Sequence, residues 1–555
     1  MATISSLLAD HVTLRVRSVD RLFLQGYVPK LQTAGMLIRF LLDRGFPIPS
    51  PALLGKIGRA YSAAIDQFAL DYELPVVRFA KQDCKEDVAR EHFQRAEREG
   101  RFGVVLIGVA QEKTSAWRGW RDGGPDGHPH FEFSRQTVFV NHFYFYIRDP
   151  DWGPGFIKTV AYAPFSVWVY LNGHEWAKRQ AGARGVGFRA LDNGFASCED
   201  PTALQAICDT LSANDVQAFF ERWMGRLPSP FDGQDRARGY VHELAFRQLE
   251  ISDTHVFDRP AAGRAWFERT LPDQLTLGRP DRVAVVFDRR VSSRTPGRFA
   301  TQLINRGVEA AIQVHYRSSK VKQYFKEGRA LRTETTINDT RDFGVGRRLT
   351  EENWQTLLRI GHRTNHRLMA AQLDACQCAP DATTLAQVVL PSIHDGLPAP
   401  GLRFGDPRVM ALLACLCHHG HLFNGLTNRS LRELIADLIP GYSSHQATYD
   451  LRRARRKGLI HRIPHSQRYE LTDQGRRIAV FFTKTYTRIV NPALAELDPH
   501  LPDEIARRSS LARSWRDFEA ALNERVNRPP SRPDNLTSLF NFPRPSGASR
   551  HPLPI

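Results

Sequence analysis

Long apolar runs are absent from this sequence, and so is a charged-then-apolar start. The chain opens Met1-Ala2-Thr3-Ile4, and no stretch is long enough to span a bilayer. A membrane partner is therefore not expected. Cysteine is scarce, with seven in 555 residues. The seven are scattered and odd in number, which argues against a closed disulfide framework and for a reduced setting. Acidic residues are outnumbered: 59 Asp and Glu face 76 Lys and Arg, leaving a formal charge of +17 and a pI of about 9.8. Such a balance favours a polyanionic partner and says nothing of fold. Nucleic acid, DNA or RNA, comes first; a membrane surface comes second, but no basic amphipathic anchor stands out. The expected location is the cytoplasm of a bacterium, in association with the nucleoid. Internal repeats are lacking too. Apolar residues are not: at 42% they suffice for buried cores and exclude a disordered adaptor. The length suggests three or four domains.

The pattern along the chain is that of an α+β multidomain protein with mixed or antiparallel β units. A mainly helical region is expected over 1–100, although Val12, Leu14 and Val16 alternate as in a strand. An α+β unit follows over 101–200. There 102–109 reads as a buried central strand, and 137–147 and 156–171 read as further β stretches. Helices are expected to dominate 201–280, with Trp223, Phe246 and Trp266 as core anchors. A second β unit occupies 281–400, with strands at 283–287, 299–304, 311–316 and 331–337 and a joining helix at 354–373. Residues 401–490 form a separate module. A helical extension is expected at 491–527, and a disordered Pro/Ser/Arg/Asn-rich tail at 528–555.

The 401–490 module is the most explicit stretch. Asp406-Pro407 opens a helix carrying Val409, Leu412, Leu413 and Leu416. A second helix starts at Thr427-Asn428 and is stopped by Pro440-Gly441; a third starts at Ser443-Ser444 and ends at Gly458. Two short strands, 459–463 and 468–471, flank a turn at Pro464-His465-Ser466-Gln467, and a last helix begins after Thr472-Asp473. This order resembles a winged-helix DNA-binding domain. The resemblance implies that the third helix enters the major groove. Gln446, Thr448 and Tyr449 would lie near its start, and Arg452, Arg453, Arg455, Arg456 and Lys457 would meet phosphates along its second half. Arg462 and Arg468, with His461 and His465, would serve on the wing.

Three constellations carry possible chemistry. In the first, Lys320, Lys322, Tyr324, Lys326, Arg329 and Arg332 interleave cations with aromatic residues, as suits a surface that grips phosphates and stacks bases. Period two puts Arg332, Glu334 and Thr336 on one strand face. Glu334 is then a candidate catalytic carboxylate holding Mg²⁺ or Mn²⁺ with Asp339 or Asp342; the plainer reading is an Arg332–Glu334 ion pair. The run Lys-x-Tyr-x-Lys followed by Leu-Arg-x-Glu is loosely similar to a segment of rolling-circle replication initiators. The second constellation, His128-Pro129-His130, has the His-x-His spacing with which those initiators hold a metal. Tyr316 and Lys320 would then stand in for their nucleophilic Tyr and following Lys.

The third is Cys376-Gln377-Cys378 with Cys415-Leu416-Cys417-His418-His419. Zinc needs four converging ligands, and residues 415 and 417 point to different faces of a helix, so buried thiols are the default. Glu112, in the polar cluster after the 102–109 strand, is a further candidate carboxylate. His174-Glu175 and Asp149/Asp151 are looser ones.

The sequence thus reads as a bacterial nucleic-acid-binding protein that uses a winged helix in a mobile-element, phage or plasmid process. Two alternatives accompany it. One is a metal-dependent endonuclease or strand-transfer initiator; the other is a ligand-sensing transcriptional regulator.

Overall fold

The computed structural model describes residues 11–123, 129–278, 282–285, 301–306, 309–376, 378–394 and 396–490, together with 514, 517 and 520. The expected α+β character is there. In chain order, β1 (Val12–Tyr27) leads to α1 (Ala34–Asp43), α2 (Pro51–Asp71), β2 (Val76–Arg78) and α3 (Lys85–Arg98). A long hairpin of β3 (Gly103–Gly123) and β4 (Pro129–Asp149) precedes β5 (Gly153–Val160) and β6 (Val167–Asn172). Next come α4 (Gly173–Ala183) and a small hairpin, β7 (Phe188–Leu191) and β8 (Gly194–Cys198). Helices α5 (Pro201–Thr210), α6 (Ala213–Met224) and α7 (Gly233–Ala237) lead to β9 (Glu243–Phe257) and α8 (Pro260–Gly278). The strands β10 (Arg282–Val285), β11 (Thr301–Arg306), β12 (Glu309–Tyr316), β13 (Ser319–Lys326) and β14 (Ala330–Ile337) follow.

Among the described residues these strands make one twelve-stranded sheet, ordered β10-β11-β12-β13-β14-β9-β1-β6-β5-β4-β3-β2. The two β units expected from the sequence therefore share a sheet. Strand β9 joins them, running antiparallel to both β1 and β14. It lies inside the 201–280 stretch, where helices dominate as expected and this one long strand was not foreseen. The reason is local: Leu249 to Phe257 are all buried, so polar Ser252, Asp253, Thr254 and His255 sit where alternation normally shows apolar residues.

One face of the sheet is apolar. Leu22, Leu24, Leu249, Ile251, Val167, Val169, Leu171 and Ile157 belong to a single core cluster that also holds Leu37 and Phe40 of α1 and Ile57, Tyr61 and Ile65 of α2. Each fully buried side chain of this size contributes roughly 1.5–3 kcal/mol. The helices form where their caps are supplied: Thr33 accepts from Met36 N, Ser50 from Ala52 N ahead of Pro51, and Ser212 forms a capping box with Asp215. The opposite face alternates into half-buried positions on β13, β5 and β6, and it carries the polar and aromatic residues.

Helix α9 (Glu351–Cys376), α10 (Ala382–Val389) and the hairpin β15 (Ser392–His394) and β16 (Leu397–Ala399) precede the next module. That module comprises α11 (Pro407–Leu416), α12 (His421–Asn424), α13 (Asn428–Ala436), α14 (Ser444–Arg456), β17 (Ile460–Arg462), β18 (Tyr469–Leu471) and α15 (Asp473–Thr485). Asp406, Thr427 and Ser443 cap α11, α13 and α14, at the positions the sequence indicates. Gly458 takes φ +71, the left-handed conformation that ends α14. A second compact unit, 483–555, is described by the last residues of α15 (483–485), a π-helical turn at Tyr486–Val490 and three single residues. The expected extension at 491–527 and tail at 528–555 otherwise lie outside the described residues. No helix among the described residues is long and apolar enough to cross a membrane.

Candidate metal centre

Glu334 stands on β14 and pairs in register with Ser252 of β9, while Thr336 pairs with Glu250. Between Val19 and Leu22 the β1–β9 register shifts, so Asp20 and Arg21 together oppose Glu250. A bulge of this kind re-aims side chains out of strict alternation. Its result is that Asp20, Glu250 and Glu334, from three adjacent strands, meet on the polar face. One carboxylate oxygen of each lies within 4.8 Å of the others, and among the described residues this is the group of acids, histidines or cysteines placed to share a metal ion. Two oxygens on one hard cation, each at about 2.0–2.6 Å, are at most about 5 Å apart. The spacing fits.

Neighbouring groups fix the three carboxylates. Arg332, 1% exposed, donates from Nη1 to Asp20 Oδ2 at 3.3 Å, from Nε to Thr254 Oγ1 at 3.0 Å and from Nη2 to the Asn193 carbonyl at 2.6 Å. Asn193, in the turn between β7 and β8, donates to Asp20 Oδ1 at 2.7 Å. The next residue, Gly194, has φ +135, and a Cβ there would collide with Arg332 Nη2. Glycine lets the hairpin close over the guanidinium. His174 opens α4 with Nδ1 3.2 Å from Ser18 Oγ, Nε2 3.2 Å from Ser252 Oγ and Nε2 3.8 Å from Asp20 Oδ2. Gln248 donates to Glu250 Oε1 at 2.6 Å, and Tyr324 donates to Glu334 Oε2 at 3.1 Å. Arg21 Nε sits 3.9 Å from both Asp20 Oδ1 and Glu250 Oε2. Thr336 Oγ1, buried beside Glu250, has no hydrogen-bond partner.

The charges are unbalanced. Burial, then the charges of Glu334 and Asp20, pushes the Glu250 carboxyl up to about 8. Burial and the Asp20 charge raise Glu334 as well. Burial opposes the Asp20 charge too, yet His174, Arg332, Asn193 and Arg21 outweigh it and hold this carboxyl below its usual range. His174 is itself pushed down to about 3 by burial and by Arg332, so at neutral pH the guanidiniums carry that effect. The cluster at pH 7 thus keeps a proton that a divalent cation would displace.

Glu334 alone among the expected catalytic acids belongs to this centre. Asp339 instead caps the 340–343 turn and pairs with Arg341 at 3.1 Å and Arg347 at 2.8 Å. Asp342 accepts from Ser318 and Ser319 at 2.6 and 2.9 Å. Glu112 is on β3, six strands from β14, or roughly 25–30 Å at the usual strand spacing. It is held by Lys85, by Tyr144 at 2.5 Å and by Lys158 at 3.0 Å. Burial works against its charge, but Lys85, Tyr144 and Lys158 bring its pKa down to about 2. Glu112 and Asp339 are thus both engaged in ion pairs away from the centre. Asp20 and Glu250 escaped the sequence reading. The one signal for them is an acid flanked by apolar alternation, in Val-Asp-Arg-Leu and Leu-Glu-Ile.

Of the expected nucleic-acid contacts near the centre, Lys320, Lys322, Tyr324 and Lys326 are half-buried on the open face and Arg329 is exposed in the following turn. Lys322 Nζ lies 3.7 Å from the Tyr324 ring centre. Arg332 is not a surface cation, because its three hydrogen bonds consume it inside the fold. Tyr316 is 5% exposed and stacks on Phe423 at 5.2 Å, which corrects its comparison with a nucleophile. His128 lies outside the described residues; His130 is placed on β4 by its backbone pairing with Asp122. Cys415 is buried on α11, and Cys378 and Cys417 pack against Ala375 and Val480. Asp149 accepts from the Trp223 indole at 2.8 Å, and Glu175 pairs with Lys178 at 2.6 Å.

The basic end of α14 divides in two. Lys457 is 0% exposed and donates to the carbonyls of Gln387 at 3.0 Å and Leu390 at 2.5 Å and to Ser392 Oγ at 2.7 Å. That burial removes it from any phosphate contact. Arg453 donates to the carbonyls of Pro400 and Gly401, and Arg456 to that of Pro398 at 2.9 Å. Tyr449, Arg452 and Arg455 remain exposed along one helical stripe. Gln446 caps its own helix by accepting from Ser443 N at 2.7 Å. On the β17–β18 turn, Arg462 donates to the Ser466 carbonyl at 2.8 Å and Arg468 to that of Asn424 at 3.1 Å.

Comparison of the chain with protein-family models, with curated proteins and with solved structures finds no match.

Proposed function

We propose that this protein is a DNA-binding enzyme that cuts or transfers a phosphodiester bond with a divalent cation, Mg²⁺ or Mn²⁺, held by Asp20, Glu250 and Glu334. The carrying observation is the convergence of these three carboxylates from β1, β9 and β14, together with the unpartnered Thr336 hydroxyl next to them. A hard cation takes oxygen ligands, offsets the burial and the repulsion that raise Glu250, and would leave positions for water and a phosphate oxygen. There it would activate the attacking hydroxyl and stabilise charge on the phosphoryl group. Arg21, half-exposed at the rim, is placed to meet the second phosphate oxygen.

The 401–490 module supplies duplex binding in this reading. Its helix-helix-helix-strand-strand-helix order, with short α12 inserted, and the exposed stripe of Tyr449, Arg452 and Arg455 support a winged helix. A nicking or strand-transfer role in a mobile-element, phage or plasmid process suits the combination. A ligand-sensing regulator has no comparable support, since the polar centre holds packed carboxylates.

The test is a nicking assay on supercoiled and single-stranded DNA with Mg²⁺ or Mn²⁺, beside a Mn²⁺ titration followed by electron paramagnetic resonance. Wild type is expected to bind Mn²⁺ and nick; Glu334→Gln is expected to lose both and still bind duplex. A wild type that leaves Mn²⁺ free at millimolar concentration overturns the proposal.

A further inference from the structure

The open face of the sheet continues past the metal centre as an aromatic row. Phe23 on β1 pairs with Tyr170 on β6, and Tyr170 pairs with Phe156 on β5. The Phe156 and Tyr170 rings are stacked, 5.3 Å apart and 10° from parallel. Trp168 stands two residues from Tyr170 on the same face. All four are half-buried, whereas their strand neighbours Leu22, Leu24, Val169 and Leu171 are sealed in the core. Phe23 is two residues from Arg21, or about 7 Å along the strand, so the row begins beside the carboxylates. A register shift between Phe23 and Leu24 loops Arg247 out of β9. Its Nε donates to Gln25 Oε1 at 2.7 Å, and this exposed side chain flanks the row. Phe156 packs against the cluster beneath α3, which closes the far end.

From this juxtaposition we infer that the row Phe23, Tyr170, Phe156 and Trp168 is the seat of a single-stranded segment of nucleic acid leading into the metal centre. The occupant follows from the chemistry. Half-exposed aromatic rings on a sheet face offer bases a stacking surface, and bases are free to stack only when unpaired. Arg21 and Arg247 flank the rings with positive charge, and a formal charge of +17 favours a polyanion. A duplex keeps its bases inside and offers this row only phosphates, which hydrophobic rings do not hold. The inference rests on the proposed phosphodiester chemistry for its meaning, but not for its test.

The experiment uses the full chain in EDTA, where no cutting occurs. Fluorescence anisotropy with a labelled oligo-dT measures single-strand affinity, and a duplex probe is run in parallel. Phe23→Ala combined with Tyr170→Ala is expected to weaken oligo-dT binding at least tenfold and to leave duplex binding unchanged, while Tyr170→Phe, which keeps the ring, binds as wild type. In a second arm, an oligonucleotide carrying 5-iodouracil is photocrosslinked to the wild type. Crosslinks are expected in peptides holding Phe23, Phe156, Trp168 or Tyr170. Unchanged oligo-dT affinity in the double variant, or crosslinks confined to 444–468, overturns the inference. Failure of the metal reading is distinguishable, because it leaves single-strand binding intact and removes Mn²⁺ binding.

Discussion

Arg332 and Asp20 form a buried ion pair: Nη1 and Oδ2 are 3.3 Å apart, and both side chains are no more than 2% exposed. Strand β14 thereby ties one carboxylate of the centre to β1 across the intervening β9. Glu334, two residues along β14, is left to Tyr324 and to the other two carboxylates. The division of labour explains why three acids remain together without unfolding the sheet. Asp20 is compensated, and Glu250 and Glu334 share the remaining imbalance.

Removing this cation should therefore be expensive. Arg332→Met takes the buried cation from Asp20 and leaves it Asn193 and the more distant Arg21, a change that costs up to about 3–5 kcal/mol. Arg332→Lys should recover little, because one ammonium does not span Asp20, Thr254 and the Asn193 carbonyl. Urea unfolding of the three proteins is the measurement. A loss below 1 kcal/mol for Arg332→Met would mean that the carboxylate is hydrated after all.

A second consequence concerns pH. The Glu250 carboxyl titrates near 8 in the folded chain and near 4.3 when unfolded. A raised folded pKa gives stability that is complete below the unfolded value and is lost as pH rises through the folded one. In EDTA, the melting temperature of wild type should fall between pH 6 and 9 more than that of Glu250→Gln. Mn²⁺ should restore wild type, with proton release on binding, and should leave the variant unmoved. Parallel pH profiles for the two proteins would remove Glu250 from the centre.

The cations of α14 give a third test, since burial separates them. Lys457→Met strands two carbonyls and a serine hydroxyl, so it should lower stability by about 2–3 kcal/mol. Arg452→Ala and Arg455→Ala should leave the melt within about 0.5 kcal/mol. Each should weaken duplex binding and reduce the salt slope by about one. Anisotropy at several salt concentrations reads this directly. A duplex affinity indifferent to both arginines would argue against α14 as the groove element.

What the sequence discloses of this molecule is what local signals encode. Asp406-Pro407, Thr427, Ser443 and Gly458 mark helix ends because a cap is a contact within three or four residues, and those boundaries are found. Glu334 is legible as a strand-borne acid for the same reason. Its partners are not, because Asp20 sits in a bulge that breaks alternation and Glu250 in a strand buried on both faces. Their meeting is a matter of strand pairing between distant segments. The cations at 453, 456 and 457 read as a basic face for want of any local sign of the carbonyls at 387–401 that they meet. Arg332 is the same case within the sheet.

Acid should undo the fold through its buried imidazoles. His242, beside Phe231 and donating from Nε2 to the Phe165 carbonyl at 2.8 Å, is pushed down to about 4 by burial. His174 and His421 are pushed down to about 3 by burial, with Arg332 and His418 adding to the effect. Each is neutral when folded and takes a proton near pH 6.5 when unfolded. The folded state therefore binds fewer protons, and stability falls as pH drops below 6.5 toward 4. Glu112 adds to the loss from about pH 4.5 downward, since its pKa of about 2 lies below the unfolded value. Wild type is expected to lose melting temperature steadily from pH 6.5 to 4. His242→Gln keeps a hydrogen-bonding amide without the titration, so its profile should be shallower over that range even if its stability at pH 7 is lower. A variant whose profile runs parallel to wild type would show that His242 is already protonated in the fold.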